Sequence, residues 1–417
     1  MANNRQYNVL DLFAGCGGLS SGLVRAGFRV VAANDVWEPA AETYRLNHPG
    51  TAFILGDITG KAVRDRICRE FERVPCDVIA GGPPCQAYSM AGARSVDDAR
   101  GHLFGDYVEI VERLRPAIFI MENVKGILTM MHDREVLSAG ESAELERVKC
   151  LEAERAALML KRKQAANTGR VVFSKADQSR LDAVKQELRR SAGRLKILRE
   201  PVTSKIVRRF NGIGYRVEFR TLNAADYGVP QKRERVFFIG TDRNVPIEFP
   251  LPTHCPPEAS GELPLFSSSR LPWRTVRSAI DDLKQHPEDQ AWSHVFPRHK
   301  SDFVAKIHKT KIGTTIYKGY SDAWYRNPPD DPARTVKENH GGVLVHYELD
   351  RVMTPRELAR LQSFPDNFNF RGSKSLVLKQ IGNAVPPLLG EAVGRALLKM
   401  LSAIEGEASL SAARKTA

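Results

Sequence analysis

Short, mainly apolar runs alternate with amphipathic segments through the first third of the chain. Such runs, bounded by Gly, Asp, Asn or Pro, predict buried strands. They lie at residues 7–11, 28–33, 52–55, 77–80 and 117–121. The segments between them show helical spacing, as in Leu19, Leu23 and Val24 before a stop at Gly27. Because strands that alternate with helices form parallel sheets, the pattern predicts an α/β fold with an open sheet.

The first three predicted strands end in residues that suit a ligand. A glycine-rich turn within residues 11–20 (DLFAGCGGLS) follows the first strand, and Asp35 and Asp57 follow the second and third. Open α/β sheets bind ligands at the carboxyl ends of their strands, where these residues would share one edge. One acid suits a ribose diol and the other an adenine amino group, which favours a nucleoside cofactor. The alternatives are a purely structural turn and two helix N-caps, since the glycines lack G-x-G-x-x-G spacing.

The fourth strand leads into residues 81–89 (GGPPCQAYS), which present a cysteine. The glycines allow a sharp turn off the strand, and two prolines fix φ on the way to Cys85. This position favours a nucleophile at the ligand-binding edge, and the alternative is a small buried thiol in a stiff turn. The small and polar residues at 86–102 predict a mobile loop.

One carboxylate and two guanidiniums extend this set. Glu122 follows the fifth strand, where burial would raise its pKa and make it a proton donor; the alternative is a helix-capping turn. Gln231, Arg233 and Arg235 alternate before an apolar strand at 236–239, so extended geometry places them on one face. The arginines suit a phosphate, a carboxylate or a base carbonyl, with surface ion pairs as the alternative.

Residues 132–205 differ in kind from their surroundings. They are rich in Ala, Glu, Lys, Arg and Leu, and they predict a charged antiparallel helical hairpin. Ser174 is the expected N-cap of its second helix. The hairpin is either a solvated arm or a partner-binding coiled coil.

The last third of the chain shows less periodicity. Residues 242–331 interleave prolines, aromatic and basic residues, as is typical of a recognition module. A capping box predicts a helix at 354–362. Residues 380–386 are expected to open a last helix that runs to about residue 404, followed by a frayed basic tail after residue 406.

Charge and cysteine content narrow the class of protein. The 417 residues carry a formal net charge of +13, which suits a polyanionic partner such as nucleic acid, although a merely basic surface is the alternative. The six cysteines show no zinc-ligand spacing, which indicates reduced thiols in a cytosolic compartment and no structural metal. The chain shows neither a secretory signal nor an apolar run long enough for a membrane span.

Seven short motifs occur in one order along nearly the whole chain. They are DLFAGCGGLS at 11–20, GDI at 56–58, GGPPCQAYS at 81–89, ENV at 122–124, QKRER at 231–235, TPRELARLQSFPD at 354–366 and QIGNAVP at 380–386. In this combination the chain resembles the cytosine-C5 DNA methyltransferases of the bacterial restriction-modification type. The hairpin departs from the compact core of that family but interrupts none of the motifs.

The resemblance implies a Rossmann-like doubly wound mixed sheet, the fold of S-adenosylmethionine-dependent methyltransferases. It implies a catalytic domain at 1–241 with the hairpin inserted at about 132–205, a mostly β or irregular target-recognition domain at 242–372, and a segment at 373–417 that returns to the catalytic domain. S-adenosyl-L-methionine would be the cofactor. The residues expected to line its pocket are Phe13, Ala14, Gly15, Gly17, Asp35, Asp57, Ile58, Pro84, Leu103, Asn383 and Val385.

The same resemblance implies how catalysis would proceed without a metal. Cys85 would add to C6 of a flipped-out cytosine, Glu122 would bind N3, and Arg235 would hold O2. Arg233 would position a DNA phosphate or the 86–102 loop, which would close over the base.

The expected partner is double-stranded DNA, with a cognate restriction endonuclease acting on the same site. A monomer in the bacterial cytoplasm, associated with the nucleoid, is expected, without a membrane partner. Two alternatives stay open, namely a tRNA cytosine-C5 methyltransferase and a catalytically silent DNA-binding relative.

Overall fold

The computed structural model describes most of the 417-residue chain. The described ranges are 5–84, 103–134, 136–168, 171–256, 270–317, 324–338 and 344–416. Cys85 and the predicted loop at 86–102 lie outside them. In the described ranges, no helix is long and apolar enough to cross a membrane.

Strands and helices alternate through the first half of the described chain. The strands are β1 (Asn8–Leu12), β2 (Arg29–Asp35), β3 (Ala52–Leu55), β4 (Val78–Gly81), β5 (Ile118–Val124), β6 (Met131–Asp133), β7 (Arg199–Pro201), β8 (Arg216–Asn223), β9 (Glu234–Thr241), β10 (His254–Cys255) and β11 (Leu271–Pro272). The helices are α1 (Gly18–Ala26), α2 (Glu38–Asn47), α3 (Lys61–Arg69), α4 (Leu103–Leu114), α5 (Ala139–Thr168), α6 (Lys175–Leu198), α7 (Val202–Gly212), α8 (Val276–Ile280), α9 (Ser301–Lys309), α10 (Pro355–Leu361), α11 (Lys374–Asn383) and α12 (Pro387–Thr416). The five strands predicted in the first third of the chain are confirmed as β1 to β5.

Seven of the described strands form one mixed sheet in the order β3-β2-β1-β4-β5-β9-β8. Strands β1 to β5 are parallel, and β9 runs antiparallel between β5 and β8. The order reverses direction between β1 and β4, which is the switch point where open α/β sheets bind ligands. The predicted doubly wound mixed sheet is therefore confirmed.

The chain divides into two compact units. The first comprises Met1–Pro83, Asp106–Lys125 and Gly214–Ala417, and the second comprises Pro84–Gly105 and Gly126–Ile213. Within the first unit, one apolar core joins the sheet to α1 and α12. A second core gathers residues from α8, α10 and α11 and so lies largely in the segment predicted to recognise the target.

Helices α1 and α12 approach each other closely in the first unit. A Cβ placed on Gly22 would lie 2.4 Å from the Pro387 carbonyl oxygen, and one on Gly18 would lie 2.4 Å from the Val385 carbonyl oxygen. Only glycine allows this backbone-to-backbone contact. The contact brings the chain that follows α11 back to the turn after β1.

The second unit contains the predicted helical hairpin. Ser174 caps α6 through a capping box with Asp177, as the sequence predicts. Ion pairs join Glu154 to Arg180 and Arg147 to Glu187, so that residues further along α5 meet residues earlier in α6. The two helices are therefore antiparallel.

The carboxyl-terminal part of the chain differs from the prediction in two respects. Residues 380–383 end α11 instead of opening the last helix, because Pro386 and Pro387 interrupt the hydrogen-bond ladder and start α12. Helix α12 continues to Thr416, whereas a frayed tail was expected after residue 406. The sequence from residue 407 to residue 416 contains neither Gly nor Pro, so it lacks the residue types that most strongly break a helix.

Candidate active site

The tips of β1, β2 and β3 are joined by hydrogen bonds at the carboxyl edge of the sheet. The Ala14 amide donates to the Asn34 carbonyl at 3.0 Å, and the Gly56 amide donates to the Asp35 carbonyl at 3.0 Å. The buried side chain of Asn34 donates to the carbonyls of Ile54 and Gly56 at 2.7 and 3.0 Å. These bonds fix the spacing of the strand ends on which the predicted cofactor residues stand.

The turn after β1 takes a conformation that few residues allow. Phe13, Gly15 and Gly17 have φ angles of 55°, 54° and 94°, all in the left-handed region. A Cβ on Gly17 would lie 2.5 Å from Nε2 of His48, so this glycine is also required by space. Ala14 is buried, whereas a Cβ on Gly15 would meet nothing within 4 Å. The turn therefore leaves an open position beside Gly15.

Asp35 and Asp57 stand on adjacent strand ends, as predicted. The Asp35 carboxylate accepts hydrogen bonds from the amides of Gly15 at 2.8 Å and Trp37 at 2.9 Å. Burial raises the pKa of Asp35, and these two amides oppose the shift. Asp57 is exposed and accepts from the Thr59 amide at 2.9 Å, while Ile58 next to it is buried. One half-enclosed and one open carboxylate form an acceptor set that fits the hydroxyl and amino groups of a nucleoside.

The turn between α11 and α12 lies beside the turn after β1. The Cys16 thiol approaches the Gln380 carbonyl at 3.7 Å, and the Val385 carbonyl lies against Gly18. Asn383 is exposed and Val385 is half-buried. The structure thus brings two predicted cofactor residues from the end of the chain to the same edge as Gly15 and Asp35.

Glu122 and Arg235 form an ion pair next to the glycine turn that follows β4. Nε of Arg235 lies 2.9 Å from Oε1 of Glu122, and their side chains are 14% and 15% exposed. The pair forms because β9 runs antiparallel to β5 and sets Arg235 opposite Val124. A Cβ on Gly82 would lie 3.0 Å from Oε2 of Glu122, so the backbone that leads towards Cys85 passes directly over this carboxylate.

Asn123 holds the backbone beside Glu122, a contact that the sequence did not predict for this residue. Its side-chain amide donates to the Pro83 carbonyl at 2.8 Å, and its oxygen accepts from the Val124 amide at 2.9 Å. It therefore fixes the start of the proline turn relative to Glu122. Its place in the ENV motif was the available signal, but a motif does not show which neighbour a side chain holds.

Apart from Arg233, the roles of all the predicted site residues stay predictions, and for three of these residues the first unit supplies no geometry. Cys85 lies outside the described residues. Pro84, which is exposed, and Leu103, which is half-buried at the start of α4, both belong to the second unit.

The prediction that Arg233 contacts a DNA phosphate or a loop is wrong. The side chain is 2% exposed, and its guanidinium donates to the carbonyls of Val336 and Gly382, both at 2.9 Å. Burial lowers the pKa of Arg233 well below its ordinary value. Alternation along a strand indicates which side chains share a face of the sheet, but it does not show whether that face is buried. Here the face is covered by residues 333–336 and by α11.

Gln231 belongs to the same buried network. Its side chain donates to Gln362 at 2.9 Å and accepts from the Val336 amide at 2.9 Å, and Gln362 donates to the Ile381 carbonyl at 2.7 Å. We name Gln231, Arg233 and Gln362 the buried polar hub. The hub ties the strand that carries Arg235 to the turn that carries Asn383.

A buried carboxyl group lies on β1, close behind the edge. Asp11 accepts a hydrogen bond from Ser20 at 2.5 Å, and the Ser20 hydroxyl also meets the Tyr44 hydroxyl at 2.8 Å. Burial raises the pKa of Asp11 to about 7, against the hydrogen bond from Ser20. The described residues contain no group of three or more His, Cys, Asp or Glu placed to hold a metal ion.

Comparison with known proteins identifies the class to which this geometry belongs. The model of the C-5 cytosine-specific DNA methylase family matches residues 7–144 and 195–399. The chain is 30% identical over 406 residues to the Type II methyltransferase M1.HphI of Haemophilus parahaemolyticus, covering 94% of this chain and 86% of that protein. It is also 30% identical over 407 residues to M.NgoPII of Neisseria gonorrhoeae, covering 94% and 96%.

The fold is likewise similar to that of a solved structure. That crystal structure is of an E. coli protein described as a DNA modification methyltransferase encoded within a prophage. The TM-score is 0.60 at 23% identity, with 95% of this chain and all of that chain covered. The sheet order, the strand-end acids and the match over most of the sequence agree, and the chain belongs to the C-5 cytosine-specific DNA methylase family, whose members are DNA (cytosine-5)-methyltransferases.

Proposed function

We propose that this methyltransferase modifies a flipped-out cytosine in duplex DNA through a covalent bond between Cys85 and C6, with Glu122 and Arg235 holding the ring. The ion pair between Glu122 and Arg235 at 2.9 Å, under the glycine turn that precedes Cys85, is the observation that carries the proposal. It joins a carboxylate and a guanidinium at the strand end from which the nucleophile is presented.

Cytosine C5 is too weak a nucleophile to take a methyl group unaided. Addition of the Cys85 thiolate to C6 breaks the C5–C6 double bond and places electron density on C5, which then forms the new carbon–carbon bond. Glu122 hydrogen-bonds N3 and Arg235 hydrogen-bonds O2, so that charge developing on the ring is stabilised. Loss of the C5 proton and cleavage of the Cys85–C6 bond restore the aromatic ring and the thiolate. Since C6 is inaccessible in a stacked duplex, the base must leave the helix.

S-adenosyl-L-methionine would supply an electrophilic methyl group from its sulfonium, with cleavage of the sulfur–methyl bond and release of S-adenosyl-L-homocysteine. Asp35 would accept hydrogen bonds from the ribose hydroxyls, and Asp57 would accept one from the adenine amino group. Phe13, Gly15, Ile58 and Val385 would line the same pocket, with Ala14, Gly17 and Asn383 around them. The cofactor contacts of Pro84 and Leu103 are proposed from the sequence motifs alone. The acceptor set at the ends of β2 and β3 and the open position beside Gly15 support this assignment.

The biological role we propose is modification in a restriction-modification system. The two relatives named above are Type II methyltransferases, and the present chain covers most of their length. Methylation would then protect the host DNA from a cognate endonuclease that cleaves the same site. Residues 242–372 would read the target sequence, and their separate apolar core supports a recognition module.

Methylation of plasmid DNA tests the proposal. Bisulfite sequencing after incubation with S-adenosyl-L-methionine should reveal 5-methylcytosine at one recurring sequence. Label from the cofactor that enters tRNA and not DNA would overturn the choice of substrate, and the absence of label from both would indicate a silent relative.

The role of Cys85 is tested by substitution and by trapping. We expect Cys85→Ser to lower the turnover rate by about 10³ or more, since the covalent route is lost. Cys150→Ser, at an exposed cysteine of α5, is the matched control and should retain the parent rate. Duplex DNA that contains 5-fluorocytosine should form a stable adduct with the parent only, because fluorine cannot leave C5 as a cation. Equal rates for parent and Cys85→Ser would contradict the mechanism.

A further inference from the structure

The helical hairpin of α5 and α6 lies in a part of the chain that the family does not explain. The family model matches up to residue 144 and again from residue 195, so most of both helices fall between the two matched segments. The hairpin nevertheless has a core of its own, formed by Val148, Leu151, Val184 and Leu188. The hairpin is therefore an ordered addition, and the match to the family does not explain what its surface does.

Every carboxylate of the two helices is paired with a cation of the second unit. The pairs are Glu141–Arg134, Glu144–Arg194, Glu146–Lys149, Glu152–Arg199, Glu154–Arg180, Asp177–Lys161, Asp182–Lys185 and Glu187–Arg147. The acidic side chains are thus already neutralised locally, and none is left to offset further positive charge.

Seven exposed cations of the described hairpin form no ion pair within 4 Å of a carboxylate oxygen. They are Arg155, Arg162, Lys163, Lys175, Arg189, Arg190 and Lys196. Four of these line two adjoining depressions between the helices that share Met159 and Lys185: Arg162 and Lys163 line one, and Arg155 and Arg189 line the other. We name these four residues the cationic groove.

The apolar part of the groove is small. Leu181 and Leu188, which form its floor, are buried by the packing of the hairpin itself. Met159 and Leu160, which are 54% and 57% exposed, are the large apolar side chains that the groove offers to a partner. An amphipathic helix would need a longer apolar stripe, so charge is the dominant property of this surface.

We propose that the cationic groove binds the phosphate backbone of duplex DNA outside the target site. Arg155 and Arg162 are seven residues apart on one face of α5, a separation of about 10 Å, so they can meet different phosphates. Unpaired arginines are suited to this contact because their guanidinium donors match phosphate oxygens. The inference rests on DNA being the substrate of the proposed function. It assigns to the hairpin a sequence-independent contribution to affinity.

A four-fold variant, R155Q/R162Q/K163Q/R189Q, tests this assignment in the full-length protein. The matched control, R29Q/R66Q/R69Q/R73Q, removes the same charge from exposed arginines on or near the start of β2 and on and after α3. Binding of a mixed-sequence, fluorescently labelled duplex is measured over a range of salt concentrations. The slope of log K against log[salt] should fall by about 3 to 4 in the groove variant, at roughly 0.9 per lost phosphate contact. The control should keep the slope of the parent.

Three outcomes overturn the proposal. An unchanged slope in the groove variant would show that the four cations make no phosphate contacts. If the groove variant still binds DNA but no longer binds an acidic amphipathic peptide that the parent binds, the groove serves a protein partner instead. An equal fall in both variants would show an effect of net charge alone. Methylation of the plasmid by the parent is measured alongside. A parent that does not methylate refutes the proposed function, whereas a methylating parent with an unchanged groove slope refutes only this inference.

Discussion

Two neighbouring regions of the first unit use the same residue types for opposite purposes. Arg233 and Arg235 are two positions apart, with Arg233 just before β9 and Arg235 within it. Arg235 meets a carboxylate at the open edge of the sheet, whereas Arg233 ends on two backbone carbonyls in the interior. The carboxyl groups divide in the same way, since Asp35 stands at a strand end and Asp11 is enclosed with Ser20 and Tyr44.

The difference shows what decides whether a polar side chain holds the fold or performs chemistry. In the interior, the terminal nitrogens of Arg233 and the carboxyl group of Asp11 meet fixed partners, because leaving such groups unmatched would be costly. At the edge, the backbone turns and the strand ends leave polar atoms free to bind a ligand. Residue type alone therefore predicts neither role. Substitutions should distinguish the two, because those at the edge should lower the turnover rate and those in the interior should lower the free energy of unfolding.

The largest expected effect is on catalysis at the edge. Glu122→Gln keeps the size of the side chain but removes its charge and its proton transfer, so we expect the turnover rate to fall by about 10² to 10⁴. The unfolding midpoint should change little, because the side chain is at the edge and partly exposed. Single-turnover rates and urea unfolding measure the two quantities. A variant with near-parent turnover would remove Glu122 from the mechanism.

The next effect is on stability in the interior. Arg233→Ala leaves a cavity and removes the hydrogen-bond donor of the Val336 and Gly382 carbonyls. The free energy of unfolding should therefore fall by about 3 kcal/mol. Arg235→Ala is the matched variant. It should cost less than about 1 kcal/mol in stability while lowering the turnover rate by about 10². Urea titrations of both variants test the contrast, which would fail if Arg235→Ala were the more destabilising.

Asp11 should make stability depend on pH. Its pKa is raised to about 7 in the folded protein, against an ordinary value near 3.8, so the folded state holds the proton more tightly than the unfolded chain. This stabilisation is complete below about pH 4 and is lost as the pH rises through 7, with a slope that approaches about 1.4 kcal/mol per pH unit. Asp11→Asn should reduce the slope in that window. Unfolding free energies between about pH 4 and about pH 7 measure it, and an equal slope in the variant would refute the assignment.

The smallest expected effect comes from one methyl group at the edge. Gly82→Ala would place a Cβ 3.0 Å from Oε2 of Glu122, closer than most such contacts, so the carboxylate or the turn must shift by a few tenths of an ångström. Misplacement of this size should lower the turnover rate by about tenfold. Gly105→Ala, at a glycine whose Cβ would meet nothing within 4 Å, is the control. Equal rates in the two variants would show that the Glu122 carboxylate tolerates displacement.

Local pattern was sufficient for most of the sheet and for the residues at its edge. Strands β1 to β5, the hairpin with its Ser174 cap and the capping box at Thr354 were all predictable, because each follows from spacing within a few residues. The burial of Arg233 was not, since it depends on residues more than a hundred positions away covering that face. The contact of Asn123 with Pro83 also depends on tertiary structure that periodicity does not encode.

The close contact of α1 with α12 bears on when the enzyme can become active during synthesis. The turn after β1 touches Gln380, 364 positions later in the chain, and Gly22 packs against the backbone at Pro387. A nascent chain still on the ribosome therefore lacks the residues of α11 and α12 that contact the turn after β1 and helix α1 until nearly all the described residues have been translated. We infer that truncated products retain the early strands but cannot close this edge, so that incomplete translation yields inactive fragments.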